Sequence, residues 1–173
     1  MKRRSQDSSP PAGPAPAWRE AVRADDPAAV AALCAATGFF SPAEVEIAAE
    51  LAEERLAEGE KSGYAFLFAE DGAGLAGYTC YGPIPGTAHS YDLYWIVVDP
   101  RRQGAGLGRA LLAETEARIV RLGGRRLYAE TSSRAQYAAT RAFYLARGFH
   151  QAALLEDFYA PGDGKVIFVK VLD

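Results

Sequence analysis

The stretch from Tyr91 to Gly108, Tyr-Asp-Leu-Tyr-Trp-Ile-Val-Val-Asp-Pro-Arg-Arg-Gln-Gly-Ala-Gly-Leu-Gly, restricts what this chain can fold into more than any other. Aromatic and β-branched residues from Tyr91 to Val98 predict a strand, and Asp99-Pro100 closes it because proline cannot donate to a ladder. Two arginines and a glycine-spaced loop come next. Arg109-Ala-Leu-Leu-Ala-Glu then opens an amphipathic helix, with Leu107, Leu111, Thr115, Ile119 and Leu122 on one face. This order aims unpaired amides and the positive end of a helix dipole at one point, which suits an anion and phosphate above all. The loop is not a Walker loop, since no Lys-Ser/Thr follows its glycines. Nor is it a dinucleotide fingerprint, because Gly104, Gly106 and Gly108 alternate.

The motif that does match is Gln103-x-x-Gly106-x-Gly108 behind a hydrophobic strand and Asp-Pro. It resembles the signature of the GNAT superfamily, the acyl-CoA-dependent N-acyltransferases. The resemblance implies that the loop Gln103, Gly104, Ala105, Gly106, Leu107, Gly108 and Arg109 holds the coenzyme A pyrophosphate. Arg101, Arg102 and Arg109 flank it and could meet phosphate. A second stretch, Ala142-Phe-Tyr-Leu-Ala-Arg-Gly-Phe149, resembles the family's aromatic-Tyr-x-x-x-Gly-Phe helix end. That match casts Tyr144 as the general acid for the leaving sulfur. Many relatives carry Asn seven residues earlier, against the pantetheine arm; here the position is Tyr137. Tyr137, Thr140 or Arg141, and Tyr144 share a helical face that could line the coenzyme groove, whereas Phe143 reads as core with Ala139, Ala142 and Ala146.

Acyl transfer to an amine also needs a base, because the amine arrives as an ammonium, and fixed donors for the carbonyl oxygen. By the family's spacing, eleven residues before Gln103, the base position falls on Asp92, which strand alternation would put on one face with Tyr94, Ile96 and Val98. Glu130 is the second candidate, and loop His89 a third. The resemblance implies that the amides of Ile96, Val97 and Val98 pair with pantetheine and the acyl carbonyl. The implied co-substrate is acetyl-CoA, with no metal. Cys34 and Cys80 read as buried inert thiols rather than acyl carriers.

Composition bounds the setting. A chain of 173 residues fits one domain, and 49% hydrophobic with 24% charged residues is ordinary for a globular protein. No apolar run reaches membrane-span length, and no h-region follows Met1-Lys-Arg-Arg, so the expected address is cytoplasmic. Two cysteines are too few for a disulfide framework. The net charge of −3 argues against nucleic acid as the main partner.

In chain order, residues 1–17 read as a disordered tail carrying Pro10, Pro11, Pro14 and Pro16, and residues 18–173 as the single domain. A first strand is expected in Trp18–Ala24. Asp26-Pro27 starts a helix that Gly38 stops, with Val30, Leu33, Cys34 and Thr37 on one face. Ser41-Pro-Ala-Glu44 is a capping box for a second, with Val45, Ala48, Leu51 or Ala52, and Leu56 as its stripe. Strands are expected at 64–70, 75–81, 91–98 and 126–131, the last two separated by the loop helix; then come a helix at 136–147 and a hairpin of 150–158 with 165–171. The order βααβββαβαββ predicts an α/β (α+β) domain, a mixed, mostly antiparallel sheet of six to seven strands with helices on both faces. That coarse order is the GNAT one.

The implied function is transfer of an acetyl group to a primary amine by direct attack in a ternary complex. The acceptor, a small-molecule or peptide amine, would meet the early helices and the 81–91 loop, with Tyr64, Tyr81, Tyr91 and Tyr94 making it aromatic and acids favouring cations. A homodimer is compatible. The alternative is a non-catalytic acyl-CoA-binding regulatory module, which would bind the coenzyme without turnover.

Overall fold

The computed structural model describes residues 16–173, so the expected tail lies outside the described residues except for Pro16 and Ala17. The elements are β1 (Ala17–Arg19), α1 (Asp26–Ala36), α2 (Pro42–Glu58), β2 (Ala65–Asp71), β3 (Gly74–Pro83), β4 (Ser90–Val98), α3 (Leu107–Arg121), β5 (Arg126–Ser132), α4 (Ala138–Ala146), β6 (His150–Ala160) and β7 (Asp163–Val171). The expected order is therefore observed. The seven strands form one sheet, β1-β2-β3-β4-β5-β7-β6, in which every neighbouring pair is antiparallel except β4 with β5.

Local chemistry explains the main departures. The first strand stops at Arg19 rather than Ala24, because the Arg19 guanidinium turns to Asp26 (2.7 and 2.8 Å) and Glu70 (2.7 Å) over the Phe68 ring. This tie joins β1, α1 and β2. Asp26 is committed there and also accepts from the Arg23 N–H, so it lies inside α1 rather than capping it; Asp25 is the N-cap. The capping box of α2 forms as expected, with Ser41 and Glu44 exchanging bonds. β3 runs on to Pro83, beyond the expected break at Gly82.

Two cores sandwich the sheet. Val30, Leu33 and Cys34 of α1 and Ala48 and Ala52 of α2 pack on Phe66, Phe68, Tyr78, Cys80 and Val97. Leu111, Leu112 and Ile119 of α3 and Tyr144 of α4 pack on Leu67, Leu93, Leu127, Ala129 and Phe168. β3 is buried on both faces, and its Thr79 hydroxyl meets that of Thr115 on α3 at 2.7 Å. Leu56 and Leu122 end their helices in solvent, outside the stripes expected of them.

Two of the sheet's register irregularities redirect side chains near the cleft. On β4, Tyr81 pairs with Leu93 but Cys80 with Trp95, so Tyr94 is an extra residue and alternation reverses there. On the hairpin, Leu155 pairs with Lys165 and Ala160 with Asp163, leaving residues 156–159 opposite Gly164 alone. Asp157 adopts φ 53° in this bulge, and its Oδ1 accepts from the Gly162 N–H at 2.7 Å.

Gly82 lies where β3 passes the Gly63 backbone, and a Cβ there would lie inside the shell of the Gly63 carbonyl oxygen. We expect Gly82→Ala to cost about 1–3 kcal/mol in thermal or urea unfolding, as overpacking does. Gly72→Ala, with nothing within 4 Å, should leave the midpoint unchanged.

Candidate active site

The site starts from an interruption in hydrogen bonding. β4 and β5 pair in parallel from Ser90–Arg126 to Leu93–Ala129, and there the register ends. Tyr94 to Val98 and Glu130 to Ser132 therefore have no partner across the gap. The gap opens into a cleft of about 640 Å³, whose walls include Tyr94, Trp95, Ile96, Val97 and Val98 of β4 and Glu130, Thr131 and Ser132 of β5. The Thr131 hydroxyl is buried without a hydrogen-bond partner, so this wall carries an unused polar group.

At the end of β4, Asp99 is buried and accepts from the Arg101 N–H at 2.8 Å, fixing the turn into the glycine loop. Gly104 and Gly106 take φ 81° and 84°, a region that side chains disfavour, and α3 begins at Leu107 without a side-chain cap. None of the amides from Gln103 to Arg109 donates to a backbone carbonyl among the described residues; the first to do so is Ala110, to Gly106 at 3.0 Å. The Gln103 side chain reaches back to the Val98 carbonyl at 3.4 Å and lines the cleft. The arginines divide. Arg101 pairs with Asp99 at 2.6 Å and Arg102 with Asp71 at 2.7 Å, in ion pairs whose arginine side chains are open to solvent. Arg109 is exposed and has no ion pair among the described residues.

From the other wall, α4 and the short turn before it supply Tyr137, Thr140 and Tyr144, the face expected from helical spacing, and also Ala139, which that spacing grouped with Phe143 instead. Tyr144 is buried against Phe149 and Phe168, and burial alone pushes its phenol well above the ordinary tyrosine value. It thus keeps its proton throughout the neutral range. Tyr137 stands edge-on to Phe39 at 4.7 Å, a contact between the α4 side and the α1–α2 loop. Phe143 packs on the α3 core as expected, but Ala139, Ala142 and Ala146 face solvent.

The base candidates separate. Because of the Tyr94 bulge, Ile96 and Val98 turn towards the α3 core while Trp95 and Val97 face the α1–α2 core, so the expected single face of Asp92, Tyr94, Ile96 and Val98 does not exist. Asp92 is not among the cleft's lining residues; Glu130 is, paired with Lys165 at 2.5 Å. Asp92 is half-buried, and burial, then Glu130, push its carboxyl up, opposed by Lys165. His89 is elsewhere, bonded to the Gly123 carbonyl at 2.9 Å. The two cysteines are buried and free, away from the cleft, and burial raises both thiols.

Of the expected acceptor-side tyrosines only Tyr94 lines the cleft. Tyr64 stands behind it at 5.4 Å, and Tyr81 and Tyr91 belong to the α3 core. The rings that do line it, besides Tyr94, Tyr137 and Tyr144, are Phe39, Phe40, Trp95 and Tyr159. Tyr159 arrives through the hairpin bulge, which strand periodicity does not reveal. Phe39 and Phe40 follow the α1 stop at Gly38, a hydrophobic pair in a loop that could have drawn notice.

A split strand pair, a glycine loop opening a helix and a buried tyrosine in one cleft define an acyl-CoA transferase class of site. The profile of the acetyltransferase (GNAT) family matches residues 23–149, and the chain belongs to that family, whose members move an acetyl group from acetyl-CoA to an amine. A structure from Desulfovibrio desulfuricans assigned to the same family is 47% identical, with 91% of this chain and 99% of that one covered and a TM-score of 0.89. The [ribosomal protein bS18]-alanine N-acetyltransferase of Escherichia coli K12 is 38% identical over 73 residues, 42% of this chain, and the chain spans about half the length of that curated relative. A ribosomal-protein-alanine N-acetyltransferase structure from Brucella melitensis is 25% identical, with 90% and 99% covered and a TM-score of 0.72.

Asp92 gives a pH prediction. Its folded carboxyl titrates above the unfolded one, so as pH rises the unfolded chain ionises first and the fold loses stability through that interval. Asp92→Asn cannot titrate. Its melting temperature should exceed the wild type's at neutral pH, with the gap closing as pH falls into the ordinary aspartate range; a gap that widens in acid would contradict this.

Proposed function

We propose that this chain transfers an acetyl group from acetyl-CoA to the primary amine of a small molecule or peptide within the split between β4 and β5. One observation carries the reading: pairing stops after Leu93, and the unpaired edge runs straight to the unpaired amides of Gln103 to Arg109. Acetyl-CoA supplies the activated acetyl thioester. The amides of the loop and of the first turn of α3 are the donors for its pyrophosphate, with Arg109 as the available cation. On the exposed edge of β4, the amides of Ile96 and Val98 are the donors for the pantetheine arm and the acyl oxygen, while Val97 between them turns its N–H to β3, as Asp99 does to Ala76. Tyr137 and the unused Thr131 hydroxyl line the same passage.

Glu130 takes the proton from the acceptor ammonium, since it lines the cleft and Asp92 does not. Asp92 stands behind it. Tyr144 holds the phenolic proton for the departing sulfur. Both cysteines are free, which suits a reducing compartment such as the cytoplasm.

Tyr144→Phe should lower kcat by about a hundredfold, within the range for a lost general acid. Coenzyme A affinity by calorimetry should stay near the wild-type value. Unchanged kcat removes Tyr144 from the chemistry, and lost affinity makes it a binding residue instead. Glu130→Gln should lower kcat/KM for the amine by a similar factor while Asp92→Asn has a smaller effect; the reverse order would exchange their roles.

A further inference from the structure

The cleft's charges are almost all spoken for. Glu130 is paired with Lys165, and Asp163 with Arg134 at 3.0 Å and with the Ser132 hydroxyl. Arg134 is the one arginine in the lining, and no lysine lines it. The remaining carboxylate is Glu44, at the start of α2. Its Oε2 accepts from the Ser41 N–H at 2.7 Å, and no cation pairs with it among the described residues. The cleft therefore carries one uncompensated negative charge.

That charge stands among aromatic rings. Phe39, Phe40, Trp95 and Tyr159 line the same cleft, with Phe39 against Phe40 at 5.9 Å and Phe40 against Trp95 at 4.9 Å. Aromatic faces attract cations and repel carboxylates. The molecule already shows an ammonium against the rings beside this wall: Lys165 Nζ, just outside the lining, lies 4.0 Å from the Phe158 ring centre and 5.9 Å from that of Tyr159. The phenol of Tyr159 is raised by burial first and then by Glu130, Asp163, Tyr137 and Glu44, so Glu130 and Glu44 both act on this ring.

Resting on the reading of this cleft as the acetyl-transfer site, we propose that the acceptor is a dication. Its reacting amine goes to Glu130 and Tyr144, and its second ammonium goes to Glu44 among the rings of Phe39, Phe40 and Tyr159. Acceptors with a carboxylate in that place meet like charge and ring faces together. A free diamine and a peptide amine with a basic side chain present the same chemistry.

Initial rates at saturating acetyl-CoA test this with 1,5-diaminopentane, 1-aminopentane and 5-aminopentanoate, and with a short peptide amine bearing a lysine side chain. The diamine should exceed the monoamine in kcat/KM by about tenfold, and the amino acid should be poorest. Comparison of diamine with peptide tells which source of the second charge the site takes. Glu44→Gln keeps the reciprocal cap, because glutamine serves there as well, so its melting temperature and coenzyme affinity report intact folding. In that variant the diamine-to-monoamine ratio should fall towards one. A ratio unchanged by the substitution, or a preference for 5-aminopentanoate, overturns the acceptor assignment alone. Turnover of none of the four overturns the acetyl-transfer reading beneath it.

Discussion

The structure depends on two neighbouring strands that cease to be neighbours. Four residue pairs hold β4 to β5, and beyond Leu93 and Ala129 the two diverge inside a sheet that is otherwise continuous. A buried strand with an unpaired edge is expensive, since each orphaned amide loses its hydrogen bond to water without a replacement. The fold keeps the edge wet by making it the wall of a cleft. An extended ligand with amide groups of its own can then complete the ladder, as an added strand would.

The rest of the chain supports that opening. β3 braces β4 along its whole length and is itself clamped by α1 on one face and by α3, through Thr79 and Thr115, on the other. β7 braces β5 in the same way. The loop from Ser132 to Arg134 is fastened to the hairpin turn: Ser133 N–H donates to the Gly164 carbonyl at 2.7 Å, and Gly164 N–H to the Ser133 hydroxyl at 2.8 Å. These ties hold both lips of the split, so the cleft is a feature of a rigid frame rather than of a loose loop.

Much of this was legible in the residues. Glycine spacing, the capping box and the period of α3 specify their elements locally, and the element order comes from them. The glycine loop from Gln103 to Arg109 and the helical face of Tyr137 and Tyr144 were legible for the same reason, because each lies in a contiguous segment. What escaped depended on pairing between distant strands. The Tyr94 bulge reverses alternation without any glycine or proline to announce it, and so misplaces Asp92 relative to Ile96 and Val98. The hairpin bulge that delivers Tyr159 exists only in the register of β6 against β7. Ion pairs between Arg102 and Asp71, or Arg19 and Glu70, join residues whose proximity no local pattern encodes.

Amide hydrogen exchange with and without saturating coenzyme A addresses the split directly. The ligand should slow exchange at the gap-facing amides of Ile96 and Val98 and across Leu107 to Arg109, leaving the already paired segment from Ser90 to Leu93 unchanged. Equal exchange at both segments in the presence and absence of ligand, or protection confined to a different part of the surface, would show that the gap between the strands is not where the coenzyme binds.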